Sequence, residues 1–206
     1  DEFYDTGIKE NYYAKGVSPF IKQTFDNNTI NGEPWSKYAA GYMWGVTGII
    51  YNPEDVTKQE ASTWKIINND KFRRMITVKD NVRDTMFAAI GAIKSDKLRS
   101  QDFIRQADYT DKLAEEMNDT SKDTVDEVLE YLQQVKDNVY SFETDSGKID
   151  AITGKISAGY QWSGDAVYIM QQAEANDVEL NFAIPEECTN MYFDGWAMLK
   201  SGINGN

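Results

Sequence analysis

The chain has 206 residues, 41% of them hydrophobic, enough for one domain of ordinary size or one domain plus part of another. It carries 21 basic and 34 acidic side chains, a net charge of -13, which disfavours nucleic acid and anionic membrane surfaces and suits either plain solubility or a cationic partner. It has no histidine, and Cys188 is its only cysteine, which removes Ser-His-Asp and Cys-His catalytic sets, an internal disulfide and most zinc sites.

The opening Asp1-Glu2-Phe3-Tyr4-Asp5 lacks the basic and apolar regions of a secretory signal. No apolar run reaches the length that spans a bilayer. Ser36 to Tyr51 reads as an extended segment that bends at its glycines, closed by the turn Asn52-Pro53. Ser62 to Arg74 reads as a short helix around Trp64, Ile66, Ile67 and Phe72, and Met75 to Val78 as a short strand. Val82 to Ile93 is a helix by its apolar spacing, capped by Asp80 or Asn81. Thr110 to Met117 is a further helix.

The clearest helix runs from Lys122 to Lys136, where Val125, Val128, Leu129, Leu132 and Val135 recur at helical spacing. Thr120-x-x-Asp123 resembles a capping box at its start. Val139 to Phe142 is a strand, and Asp150 to Thr153 a helical turn. Ile156 to Trp162 is a strand, Gly164 to Asn176 a helix, Val178 to Ile184 a strand and Asn190 to Leu199 a last extended segment. Strand, helix, strand in this order predicts an α/β fold, with a mixed, mostly parallel sheet flanked by helices.

Two corners carry chemistry. Trp162-Ser163-Gly164-Asp165 lies where a strand turns into a helix, and ligands of α/β sheets collect at the carboxyl ends of strands. In Tyr192-Phe193-Asp194, Tyr192 and Asp194 share one face of a strand because the period is two. An aromatic face attracts an ammonium and packs on methylenes, and a carboxylate accepts charge-assisted hydrogen bonds from it. Together they suit a ligand with an alkyl body and amine ends. Each residue also has a plainer reading: Trp162 as core, Asp165 as a helix cap, Tyr192 and Asp194 as sheet surface. Asp80, Asn81, Arg83 and Asp84 form a second group, in which the helix dipole favours a negative charge at Asp84. No phosphate loop, HExxH or EF-hand pattern is present, so no cofactor or metal is expected.

Read in order, these segments resemble the bacterial extracellular solute-binding proteins for spermidine and putrescine. Tyr42-Met43-Trp44-Gly45-Val46-Thr47-Gly48-Ile49-Ile50-Tyr51-Asn52 resembles the family's strand-hinge motif, and Ser62-Thr63-Trp64 its Ser-Trp helix start. Asp80-Asn81-Val82-Arg83-Asp84 resembles its Asp-Asp-Ala-Arg-Glu motif. Gln161-Trp162-Ser163-Gly164-Asp165-Ala166, Ile184-Pro185-Glu186-Glu187 and Asn190-Met191-Tyr192-Phe193-Asp194-Gly195-Trp196 follow in the family's order. The likeness covers residues 38 to 202.

The resemblance implies a periplasmic-binding-protein type II-like fold of two lobes. These close on a polyamine and deliver it to an ABC transporter permease. It implies an extracytoplasmic location, free in the periplasm or as a cell-surface lipoprotein, with the membrane met only through a lipid anchor or the permease. Trp162 and Tyr192 match aromatic residues that sandwich the polyamine, and Asp84, Asp165 and Asp194 match acids that hold its amines. Asp84 stands where Glu is usual, Asn81 where some members carry a carboxylate, Tyr192 where Trp or Phe is common, and Cys188 where Gly is usual. These departures leave spermidine against putrescine open. The resemblance further implies a middle piece of a longer receptor. Residues 1–41 would be the edge of the first lobe, 42–199 the second lobe with two hinge crossovers, and 200–206 the start of the return. Such a piece is expected to bind weakly by itself.

Two other readings remain beside this one. One is a receptor of the same fold for a sugar, a metal or an anion. The acidic and aromatic set speaks against an anion, since it contains no Lys or Arg. The other is a carbohydrate hydrolase, which needs two carboxyls at a set separation across the scissile bond.

Overall fold

The computed structural model describes residues 16–203. Residues 1–15 of the expected lobe edge and 204–206 of the expected return lie outside those described. The strands are β1 (Thr29–Ile30), β2 (Glu33–Pro34), β3 (Ala39–Tyr51), β4 (Ile76–Lys79), β5 (Ser141–Glu143), β6 (Ala158–Trp162), β7 (Asn181–Ala183) and β8 (Met191–Ala197). The chain divides into two units. Val46–Asn190 form one, and the described residues on either side of that span form the other.

In the Val46–Asn190 unit the strand order is β5-β4-β6-β3-β7. β4 runs parallel to β5 and β6, whereas β3 runs antiparallel to β6 and β7. Four strands therefore point one way and β3 the other: a mixed, mostly parallel sheet with α/β connections. The β3 segment Gly48-Ile49-Ile50-Tyr51 is buried on both sides, which explains its continuous apolar run. On one face Trp64, Phe72, Ile76, Val78 and Tyr160 pack under the helix Val82–Ile93 and the turns around Trp64. On the other, Ile50 meets Ala166, Ile169 and Ala173 of the helix Ser163–Glu174. Cys188, partly buried, packs against the first of these cores and against a further cluster that includes Met117; burial pushes its thiol up to about 12, and its sulfur lies 3.5 Å from Met117 Sδ.

Several local expectations change. Ser62 to Arg74 is not one helix but two 3-10 turns, Trp64–Asn68 and Asp70–Phe72. Thr63 and Asn69 accept from backbone N–H groups two residues on, and each such bond restarts the chain. The long helix spans Lys122–Asn138, and its cap is Ser121, which accepts from the Thr124 N–H. The expected Thr120 capping box does not form; the cap lies one residue later and is a single hydroxyl bond. Val128 and Val135 are buried while Val125 and Leu129 are exposed, so the buried stripe is narrower than the apolar spacing suggested. Asn81 caps Val82–Ile93. Strand β4 extends one residue past Val78, to a lysine.

The other unit holds the helix Pro19–Asn27, the β1-β2 hairpin and β8, which pairs with β3. Asn31 and Gly32 both have positive φ, as a two-residue hairpin turn requires. Phe193 of β8 packs edge-on against Phe25 and lies 6.4 Å from the rings of Phe20 and Trp44. Among the described residues no helix is long and apolar enough to cross a membrane.

Candidate functional site

β4 and β6 are parallel neighbours, so their carboxyl ends, Lys79 and Trp162, lie at one edge of the sheet. Each end turns directly into a helix. After β4, Asn81 caps Val82–Ile93 and accepts from the Asp84 N–H at 2.8 Å. After β6, Trp162 is itself the cap residue of Ser163–Glu174, with Asp165 in its first turn. The two corners are 78 residues apart in the chain for Asp84 and Trp162, yet they touch.

The contact is a hydrogen bond. Trp162 Nε1 donates to Asp84 Oδ2 at 3.1 Å, and Asn81 Nδ2 donates to the same oxygen at 2.8 Å. Arg83 Nε donates to Asp84 Oδ1 at 3.3 Å. Asp84 is only 1% exposed. Its carboxylate therefore fixes the indole rather than projecting from the surface.

Trp162 is half-buried, and one face of its ring carries a cation of the protein itself. Lys79 Nζ lies 3.9 Å from the ring centre and donates to Gln161 Oε1 at 2.7 Å, with the Thr144 carbonyl at 3.4 Å. Burial pulls the Lys79 pKa down to about 8, while Asp165, Asp84 and Asp145 work against that shift and Lys148 adds to it. Asp165 is also engaged. Lys148, on the helix Ser146–Ile152, lies 3.0 Å from Asp165 and 3.1 Å from Asp145. Burial disfavours the Lys148 ammonium, but its bonds to Asp165 and Asp145 outweigh this and raise its pKa.

The structure thus brings Asp84, Trp162 and Asp165 together in the Val46–Asn190 unit. Tyr192 and Asp194 belong to the other unit, on β8, where they alternate with Phe193 and so share the face opposite it. Tyr192 is half-buried and Asp194 exposed. The motif pattern did not single out Lys79, Lys148 or the side chain of Gln161. Their only advance signal is a lysine closing an apolar Ile-Thr-Val run, since only folding brings Lys148 to Asp165. Contrary to the expectation that no Lys or Arg accompanies the acidic and aromatic set, Lys79, Lys148 and Arg83 all sit within it. Among the described residues no group of three or more Cys, Asp or Glu is placed to hold a metal ion.

Comparison with known proteins agrees with this architecture. The putrescine-binding periplasmic protein PotF of Escherichia coli is 24% identical over 175 residues, 84% of this chain and 45% of that protein. The spermidine/putrescine-binding periplasmic protein 1 of Haemophilus influenzae is 20% identical over 169 residues, 82% of this chain and 40% of that protein. Among solved structures, the spermidine/putrescine substrate-binding protein PotD of Streptococcus pneumoniae superposes with a TM-score of 0.70 at 19% identity, over 98% of this chain and 53% of its own. The Tp0655 lipoprotein of Treponema pallidum gives 0.68 at 16% identity, over 98% of this chain and 55% of its own. The chain spans about half the length of the relatives it matches. Residues 1–202 match the family described as bacterial extracellular solute-binding protein, whose location is extracytoplasmic. The chain belongs to the bacterial extracellular solute-binding protein family.

Proposed function

We propose that the chain carries the second lobe and hinge segments of the solute receptor of an ABC importer, and that its solute is an amine of the polyamine class. Val46–Asn190 would form the second lobe, with the two chain crossings at 45/46 and 190/191 acting as the hinge. The observation that carries the reading is the corner where Trp162, held by Asp84, stands beside Asp165. An indole fixed in place by a buried carboxylate offers a rigid surface for a ligand's methylenes, and the Asp165–Lys148 pair beside it offers a polar group a partner. On β8, Tyr192 would offer a further aromatic face and Asp194 the carboxylate that holds the amine. The names of the relatives support the ligand class, and the family supports a receptor that binds without catalysis. The permease of the importer is the macromolecular partner.

The test is calorimetric titration of putrescine and spermidine into the full-length protein. Heat with either amine, abolished by Trp162→Ala, supports the proposal. Silence with both amines, together with binding of a sugar, overturns it. A carbohydrate hydrolase would turn over aryl glycosides, and none is expected to be cleaved.

A further inference from the structure

We propose that Lys79 and Lys148 act as resident cations that exclude an ammonium from the Trp162–Asp165 corner, so that the solute's end at this corner is uncharged or anionic. The favoured solute then carries one amine and, at its other end, a hydrogen-bond acceptor such as an amide or a carboxylate. This inference rests on the reading above that the corner binds the solute.

Three observations carry it. First, the positive charge that an aromatic face attracts is already in place. Lys79 Nζ is 3.9 Å from the Trp162 ring centre and cannot leave easily, because the residue is 1% exposed and bonded to Gln161. A second ammonium on the exposed part of this ring would share the quadrupole with Lys79 and be repelled by it. A neutral chain or acceptor group pays no such cost.

Second, the acid expected to receive an amine has a partner. Lys148 bonds Asp165 at 3.0 Å. Both side chains are about a quarter exposed, 23% for Lys148 and 27% for Asp165, so a solute can reach the pair. An incoming ammonium must displace Lys148 from Asp165 or sit beside a like charge. A carboxylate or amide oxygen instead meets an ammonium with three donors, two of which point to Asp165 and Asp145.

Third, the acids nearest the indole already have cations of the protein beside them. Arg83 bonds Asp84, Lys148 bonds Asp145 and Asp165, and Lys79 lies on the Trp162 ring, while Asp80 and Glu143 stand at the ends of β4 and β5. The overall charge of -13 draws a cationic polyamine to the protein at long range, but these resident cations compete with it for the carboxylates at the corner.

The test is calorimetry on the full-length protein with four probes: putrescine, spermidine, N-acetylputrescine and 4-aminobutyrate. N-acetylputrescine or 4-aminobutyrate is expected to bind at least about tenfold more tightly than putrescine or spermidine, the scale set by one like-charge contact. Lys148→Met, whose fold is checked by circular dichroism, is expected to raise putrescine affinity by at least about tenfold and to lower that of 4-aminobutyrate. Lys148→Gln should act in the same direction. Tightest binding of putrescine or spermidine, with no gain from Lys148→Met, overturns the inference while leaving the amine receptor standing. If neither Lys148→Met nor Asp165→Asn alters the affinity of any probe, the corner is not in the solute site, and the inference and the reading beneath it both fall.

Discussion

The Lys79 ammonium packs on the face of Trp162, 3.9 Å from the ring centre, and the two residues close adjacent parallel strands. This cation lives at the expense of its hydration. Burial brings its pKa down to about 8, although Asp165, Asp84 and Asp145 oppose the shift. Unfolded, the same amine titrates near 10.5. Below about pH 8 both states carry the charge, and the folded state bears the whole desolvation cost. Between about pH 8 and 10.5 the unfolded state binds more protons, so stability must rise with pH in that window. Urea unfolding of the protein and of Lys79→Met across this range should show the wild type gaining up to about 3 kcal/mol on the variant. A difference that stays flat with pH would show that Lys79 does not titrate there.

The second prediction concerns the carboxylate that holds Trp162. Asp84 accepts from Trp162, Asn81 and Arg83 while nearly fully buried. Asp84→Ala removes both acceptor oxygens and strands three donors, two of them in a site that water reaches poorly. The expected loss is about 3 kcal/mol, the cost of leaving partners of a buried charge unsatisfied. Asp84→Asn, which keeps one acceptor oxygen, should lose less. Equal losses would show that charge, not the hydrogen bond to the indole, is what matters. The measurement is denaturant unfolding of both variants.

The sequence stops being informative at the contacts that folding alone creates. The corner Trp162–Asp165 is legible because a strand of Tyr, Gln and Trp runs straight into Ser-Gly-Asp, a local pattern with a local cause. Asn81 as a cap is legible for the same reason. The parallel run of β5, β4 and β6 follows from the alternation of strand and helix. Neither the Lys79–Trp162 contact nor the Lys148–Asp165 pair is local. Each exists only because β4 lies beside β6, or because the helix Ser146–Ile152 packs against Ser163–Glu174. Spacing along the chain carries no trace of such pairings. Local side-chain chemistry also defeats periodicity around Trp64. There the apolar positions suit a helix, but Thr63 and Asn69 bond the nearby backbone and break it into 3-10 turns.

A third prediction addresses β8. Asp194 is exposed on the face that Tyr192 shares, opposite the buried side of Phe193. Asp194→Asn preserves shape and removes charge. Amine affinity in the full-length protein should fall by more than about 1.5 kcal/mol, the scale of a charge-assisted hydrogen bond. Calorimetry that returns an unchanged affinity would remove Asp194 from the amine partners. Tyr192→Ala should weaken every probe with a methylene chain, whatever its charge, because stacking on methylenes does not depend on the ends.

The last prediction uses two glycines of one strand. A Cβ on Gly48 would lie 2.4 Å from the Ala183 carbonyl oxygen and 2.6 Å from the Phe182 ring. The carbonyl belongs to β7, which pairs with β3 across Ile49↔Ala183. It cannot retreat without parting the two strands. On Gly41 the same atom would meet side chains alone, the Phe25 ring at 3.4 Å and Ile21 Cγ2 at 3.8 Å, which is ordinary contact. Neither glycine occupies the left-handed region, so backbone strain does not separate them. Gly48→Ala should therefore cost about 3 kcal/mol or more, an overpacking penalty made worse by a backbone neighbour. Gly41→Ala should change stability by less than about 1 kcal/mol, since a ring edge can yield by a few tenths of an ångström. Thermal unfolding of the pair decides the point. Equal losses would mean that the β3–β7 approach is looser than these distances require, and that glycine at position 48 serves some other need of the strand.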